Sequence, residues 1–268
     1  MSTAQDLHKM ANTLRVDVLT MVYQAGEGHV AGAMSSADLF AALYFGEIVT
    51  LKYDKVVLSC GHYCPVLYAA LCRSGFFPTQ ELKTFMQVGS RLPGHPERGS
   101  VPGVEVSAGP LGQGVSVATG MALGMRIKYG AKSPKVYCIL SDGELQEGQV
   151  WEAFNFAVAK KLDNLIFILD KNGIQIEHYV KDLVTGDEVA KLEAFGLHVL
   201  TVDGHDIEQL ITRLETAKKI VGLPSVVVMK TTAGKGVSFM ENKPVWHDRV
   251  PTKDELEIAL LELGANNV

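Results

Sequence analysis

An α/β fold, with a mostly parallel central sheet and helices on both faces, is predicted by three features of this sequence. Five short runs, Lys55 to Ser59, Val136 to Leu140, Leu165 to Leu169, His198 to Val202 and Ser225 to Met229, are β-type, and several are nearly continuous in apolar character. Such runs suit strands buried on both faces of a sheet. Helical patterns separate them, and strand–helix alternation is the signature of a parallel sheet. No internal repeat, low-complexity tract or Pro/Ser-rich linker divides the 268 residues, so residues 1–268 read as one domain.

The elements follow in order. Leu7, Met10, Leu14, Val18, Leu19 and Val22 recur at helical spacing and predict an amphipathic helix ending before Gly26 and Gly28. A second helix is expected from Ser35-Ser36-Ala37-Asp38, whose hydroxyls can cap it, through Leu43. Further helical patterns cover Val115 to Tyr129, Val150 to Lys160 and Ile207 to Lys219, with a terminal helix in "ELEIALLELGANNV". The stretch Gly89 to Gly114 is rich in Gly and Pro and contains the single His95. A loop of that length inside a compact domain is usually functional or disordered, and His95 favours function.

Composition removes several classes of function. Hydrophobic residues at 47% and charged residues at 21% suit a globular chain rather than a disordered one. A net charge of -5 leaves no basic surplus for broad nucleic-acid binding. The four cysteines, Cys60, Cys64, Cys72 and Cys138, form no C-x-x-C pair and fit neither a zinc site nor a disulfide framework, so they read as buried thiols in a reducing compartment. No signal core or bilayer-spanning stretch is visible, and a cytoplasmic location without membrane contact is expected.

The chemistry centres on "KVYCILSDGELQEGQVWEAF", 135–154. A strand runs into Ser141-Asp142-Gly143, and the carboxyl end of a strand in an open parallel sheet is where ligands sit. An acid there would repel a bare phosphate, so the arrangement makes most sense with a divalent cation between Asp142 and an anion. The next strand-like run leads to Asn172 in "ILDKNGIQI"; if the two strands are neighbours, both oxygen ligands converge. The plainer reading is that Asp142 caps the following helix and Asn172-Gly173 forms a turn. Of the eight histidines, His29, His62, His95 and His247 lie in Gly-adjacent or Gly/Pro-rich settings that favour function, whereas His8, His178, His198 and His205 read as structural or surface residues. Trp151 and Phe154 read as packing residues.

The segment "SDGELQEGQVWEAFNFAVAKKLDNLIFILDKNGIQI" resembles the thiamine diphosphate motif of transketolases, which opens on Gly-Asp-Gly and closes on an Asn-containing turn. "GEGHVAGAMSSADLFAALYF", "VVLSCGHYCPVLYAAL", "LPGHPERGSVPGVEVSAGPLGQG" and "KTTAGKGVSFMENKPVWHDRVP" resemble other segments of that family in the same order. The resemblance implies thiamine diphosphate and Mg²⁺ (or Ca²⁺ or Mn²⁺) as cofactors. It makes Asp142 and Asn172 side-chain metal ligands, with Ile174 adding its carbonyl. Gly143 and its neighbour Glu144 fall on the diphosphate side of the cofactor site. His29, His62, His95 and His247 line the diphosphate and substrate channel, with His29, His95 and His247 as proton-handling residues and His62 and His247 also touching cofactor. Gly109 and Leu111 meet the aminopyrimidine, and Glu147 is an acid of catalytic importance at a dimer interface.

Departures from the family pattern affect substrate range more than cofactor. Ser141 replaces the first glycine of Gly-Asp-Gly, "GHVAG" lacks a proline after His29, "HDRVP" replaces a His-Gly pair at His247, and "IEHY" replaces a Gly-containing turn. A whole transketolase carries two further domains, so the resemblance implies the N-terminal subunit of a split enzyme. Its partner is a separate C-terminal subunit with the pyrimidine-binding domain, assembled through homodimer contacts into a heterotetramer that transfers a two-carbon ketol unit between sugars or sugar phosphates. The alternatives are another thiamine diphosphate reaction on this scaffold, such as a 1-deoxyketose synthase-like or 2-oxoacid-decarboxylating one, or a non-catalytic regulatory paralogue.

Overall fold

The computed structural model describes residues 3–265; the first two and last three residues of the expected 1–268 domain lie outside the described residues. In chain order the helices and strands are α1 (Ala4–Ala25), α2 (Ala31–Ser35), α3 (Ala37–Phe45), β1 (Lys55–Leu58), α4 (Cys64–Arg73), α5 (Gln113–Tyr129), β2 (Val136–Ser141), α6 (Gly148–Ala159), β3 (Leu165–Lys171), β4 (Ile174–Gln175), β5 (His178–Tyr179), α7 (Val180–Leu183), α8 (Glu188–Ala194), β6 (His198–Asp203), α9 (Ile207–Lys219), β7 (Ser225–Lys230) and α10 (Lys253–Glu262). The five runs expected as strands form one parallel sheet in the order β1-β2-β3-β7-β6. β4 and β5 make a separate antiparallel hairpin just beyond β3.

Alternation along the strands feeds two cores. Tyr137, Ile139, Ile166, Ile168, Val227 and Met229 face a layer built from α1 to α4 and α9. Val136, Cys138, Leu140, Phe167 and Val228 face the opposite layer, where Val115 of α5 and Val150 and Phe154 of α6 pack. A strand with apolar residues on both faces cannot be half-solvated, which is why the sheet is sandwiched. Phe154 is fully buried with its ring 4.8 Å from Phe167, and Trp151 packs on Phe195, in keeping with their assignment to packing. All four cysteines are free and buried.

The first helix starts on a Thr3 capping box and stops at Gly26, whose φ of 75° is left-handed. The second expected helix forms as α3, with Ser36 at its N-cap position, and the short α2 precedes it; the capping expectation is corrected, because neither the Ser35 nor the Ser36 hydroxyl caps α3. Both hydroxyls instead donate back to the Gly32 carbonyl, and Asp38 is buried between Arg15 and His205. Local back-bonding by serine competes with capping, and here it wins. His205 accepts from Thr232 N–H and so presents its other nitrogen as donor to Asp38, which makes it a structural histidine.

Candidate active site

Because β2 and β3 are neighbours, with Ser141 opposite Asp170, Asp142 and Asn172 converge beyond the carboxyl edge of the sheet. Asp142 is 1% exposed; its Oδ1 accepts from Gly143 N–H at 2.9 Å and its Oδ2 from Gly173 N–H at 2.7 Å. Asn172 Oδ1 accepts from Ile174 N–H at 3.0 Å. The cap and the turn of the plainer reading are therefore both present, and they leave Asp142 and Asn172 lining one pocket at the strand ends. Burial, and next the nearby charge of Asp170, pushes the Asp142 carboxyl up to about 7.

Behind them Asp170 is 0% exposed and accepts from Ser35, Tyr63, Asn172 and Thr231. Burial raises its pKa, and these four hydrogen bonds oppose the rise. Two acids packed this closely away from water are costly unless a cation shares the site. Gln175 adds a buried side-chain oxygen without a partner next to Gly143, where a Cβ would meet the Gln175 side chain at 3.2 Å. Acid, amide oxygen and carbonyl form an all-oxygen set of the kind hard cations take, and so these residues fit a divalent cation with a bound diphosphate. Among the described residues no group of three or more His, Cys, Asp or Glu side chains is placed to hold a metal ion.

A cavity of about 300 Å³ opens above this edge, lined by His29, His62, His95, His247, Gly109, Leu111, Gly143, Glu147, Asn172 and Ile174 among others. The four histidines come from four separate segments, His62 from a 3₁₀ turn and the others from loops, yet meet as rings: His29 lies 5.1 Å from His62, 6.1 Å from His95 and 5.2 Å from His247 between centroids. Gly61 makes this possible, because a Cβ there would sit 1.6 Å from the Ala108 carbonyl oxygen and push away the long loop that carries His95. Burial, reinforced by His247 and His95, lowers the His29 pKa to about 4. Burial also holds His62, His95 and His247 below the ordinary histidine value. At neutral pH the four rings are uncharged, each with one donor and one acceptor nitrogen.

One expectation changes. Glu144 does not face the cavity: its carboxylate is fully buried and accepts from the Ser59 hydroxyl, from Gly112 N–H at 2.7 Å and from Ser141 N–H at 3.4 Å. It ties the ends of β1 and β2 to the "GPLGQG" loop. Asp142 lines an adjoining pocket together with Asn172 and Gly173. Sequence reasoning missed Tyr63, Asp170, Gln175 and Ile176. Asp170 had a usable signal, an acid ending a strand two residues before Asn172, whereas Ile176 betrays itself only by its φ of 53°, strained for a β-branched residue.

A parallel sheet with a buried polar strand-end edge and a histidine-lined mouth suits a cofactor-binding domain, and residues 7–267 match the family described as "Transketolase, thiamine diphosphate binding domain", which gives the class. The chain belongs to the transketolase family as this N-terminal domain. It is 38% identical over 266 residues to a 6-deoxy-6-sulfo-D-fructose transketolase subunit of Clostridium sp. (strain MSTE9), covering 96% of each chain. It is 39% identical over 268 residues to an apulose-4-phosphate transketolase subunit of Actinobacillus succinogenes, again covering 96% of each. The crystal structure of transketolase from Campylobacter jejuni superposes with a TM-score of 0.91 at 34% identity, over 98% of this chain and 43% of that one. The chain thus spans less than half of that single-chain transketolase.

Proposed function

We propose that this chain, acting as one domain over residues 1–268, is the N-terminal subunit of a two-chain transketolase that moves a two-carbon ketol unit from a ketose to an aldose. The observation that carries this reading is the buried Asp142–Asn172 edge beneath four uncharged histidines. When bound, thiamine diphosphate supplies the carbanion chemistry. Asp142, Asn172 and the Ile174 carbonyl would hold Mg²⁺, with Ca²⁺ or Mn²⁺ as substitutes, and Gly143 N–H would meet the diphosphate. Gly109 and Leu111 would face the aminopyrimidine, and His62 and His247 would contact cofactor. His29, His95 and His247 would hydrogen-bond sugar hydroxyls and carry protons. Glu147, exposed at the cavity edge, would meet a neighbouring subunit.

Relatives matched along nearly their whole length are named as subunits, which supports a separate C-terminal partner that brings the pyrimidine-binding domain, in a heterotetramer of two chains of each kind. Their names specify one sulfonated and one phosphorylated sugar, so we assign an anionic, phosphorylated or similarly charged, sugar substrate. Free buried thiols support work in the cytoplasm, and no described helix is long and apolar enough to cross a membrane. The test is to assay the chain with thiamine diphosphate, Mg²⁺ and a ketose–aldose pair, alone and mixed with its candidate partner. Ketol transfer only on mixing is expected; robust transfer by the chain alone would overturn the two-chain reading.

A further inference from the structure

We propose that Tyr63 is a positioning residue: with Asp170 it fixes the Asn172 carboxamide so that the oxygen edge, not the NH₂ edge, is presented at the strand ends. The inference rests on the reading of Asn172 as a cation ligand. Three groups form a closed hydrogen-bonded triangle. Asn172 Nδ2 donates to Tyr63 Oη at 2.8 Å and to Asp170 Oδ2 at 2.9 Å, and Tyr63 Oη donates to the same Asp170 oxygen at 3.0 Å.

Chemistry dictates the orientation. A carboxylate only accepts, so a flipped amide would set Asn172 Oδ1 against the Asp170 oxygen and turn the NH₂ group onto Ile174 N–H. Tyr63 strengthens the choice by accepting the second amide hydrogen, and as a 2%-exposed phenol it has little water to turn to instead. The fold is shaped around this ring: a Cβ on Gly32 would lie 1.9 Å from Tyr63 Cε1, so only glycine at 32 admits it. Partners that hold a metal ligand from behind commonly matter to affinity almost as much as the ligand itself.

The test uses the chain assembled with its complementary subunit, at fixed thiamine diphosphate, with Mg²⁺ titrated and cofactor capture read by tryptophan fluorescence. Tyr63→Phe keeps the ring and its packing and removes only the hydroxyl. It should raise the half-saturating Mg²⁺ concentration ~10-fold, within the range typical for loss of such a partner. Gly32→Ala, which displaces the ring, should shift it the same way. Thr231→Val is the structural control: it removes a donor to the other Asp170 oxygen, Oδ1, and should lower the melting temperature without moving the Mg²⁺ midpoint. An unshifted Tyr63→Phe, or an equal shift in Thr231→Val, would overturn the positioning role. A wild-type complex that captures cofactor without Mg²⁺ would contradict the cation reading beneath it.

Discussion

The strand-end edge and the histidine mouth sit against each other and are built in opposite ways. At the edge, polar atoms are wired: Asp142, Asp170 and Asn172 share a dense set of hydrogen bonds from backbone and side chains. At the mouth, four rings meet through edge and tilted contacts with centroids 5.1 to 6.1 Å apart, and partial desolvation, least at the exposed His95, lowers their pKa values. The wired edge is suited to holding a fixed charge in one geometry. The mouth offers donors and acceptors that can still be rearranged, which suits a substrate that enters, changes and leaves. Binding and turnover should therefore separate when each region is mutated.

The largest effect is expected at Asp142. Asp142→Ala should weaken thiamine diphosphate binding in Mg²⁺ by about 100-fold or more, at least the upper end of what loss of a partner behind a ligand costs. Next is His95, whose loop position leaves it no core role. His95→Ala should lower turnover with sugar substrates by about 100-fold, the lower end for a group that handles protons, while cofactor affinity stays close to wild type in steady-state assays. The smallest effect concerns His29. The unfolded chain takes up its proton near the ordinary value of 6.5, whereas the folded chain does so only near 4. Unfolded chains thus bind more protons between those values, and stability falls as pH drops through that window and levels off below it. A histidine NMR titration should show the His29 ring neutral at pH 5.5; a midpoint near 6.5 would mean that His29 is better solvated than the structure has it.

The same contrast governs how much could be read from the sequence. The five sheet strands stood out because they are short β-type runs, several of them apolar on both faces, separated by helical periodicity, and placement of Asp142 and Asn172 followed from strand ends. α4 was not expected, since Cys64 through Cys72 is buried all round and has no amphipathic stripe to detect. The start of α3 near Ser36 was legible, but the serine hydroxyls choose the Gly32 carbonyl over capping, a contact invisible in local propensity. Glu144 was misplaced because adjacency to Asp142 and Gly143 says nothing about the direction of its carboxylate, which the following 3₁₀ turn aims at Ser59 and Gly112. Tyr63 reads as an ordinary aromatic until Gly32, Asp170 and Asn172 are seen around it. Long-range polar wiring is what a one-dimensional pattern conceals.

The most direct measurement is calorimetric titration of thiamine diphosphate, in Mg²⁺, into the assembled complex carrying wild-type, Asp142→Ala or His95→Ala chains. If the strand-end edge holds the cation and diphosphate while the histidine mouth serves the substrate, binding heat disappears in Asp142→Ala and persists with near wild-type affinity in His95→Ala. Unchanged affinity in Asp142→Ala, or lost binding in His95→Ala alone, would contradict that division.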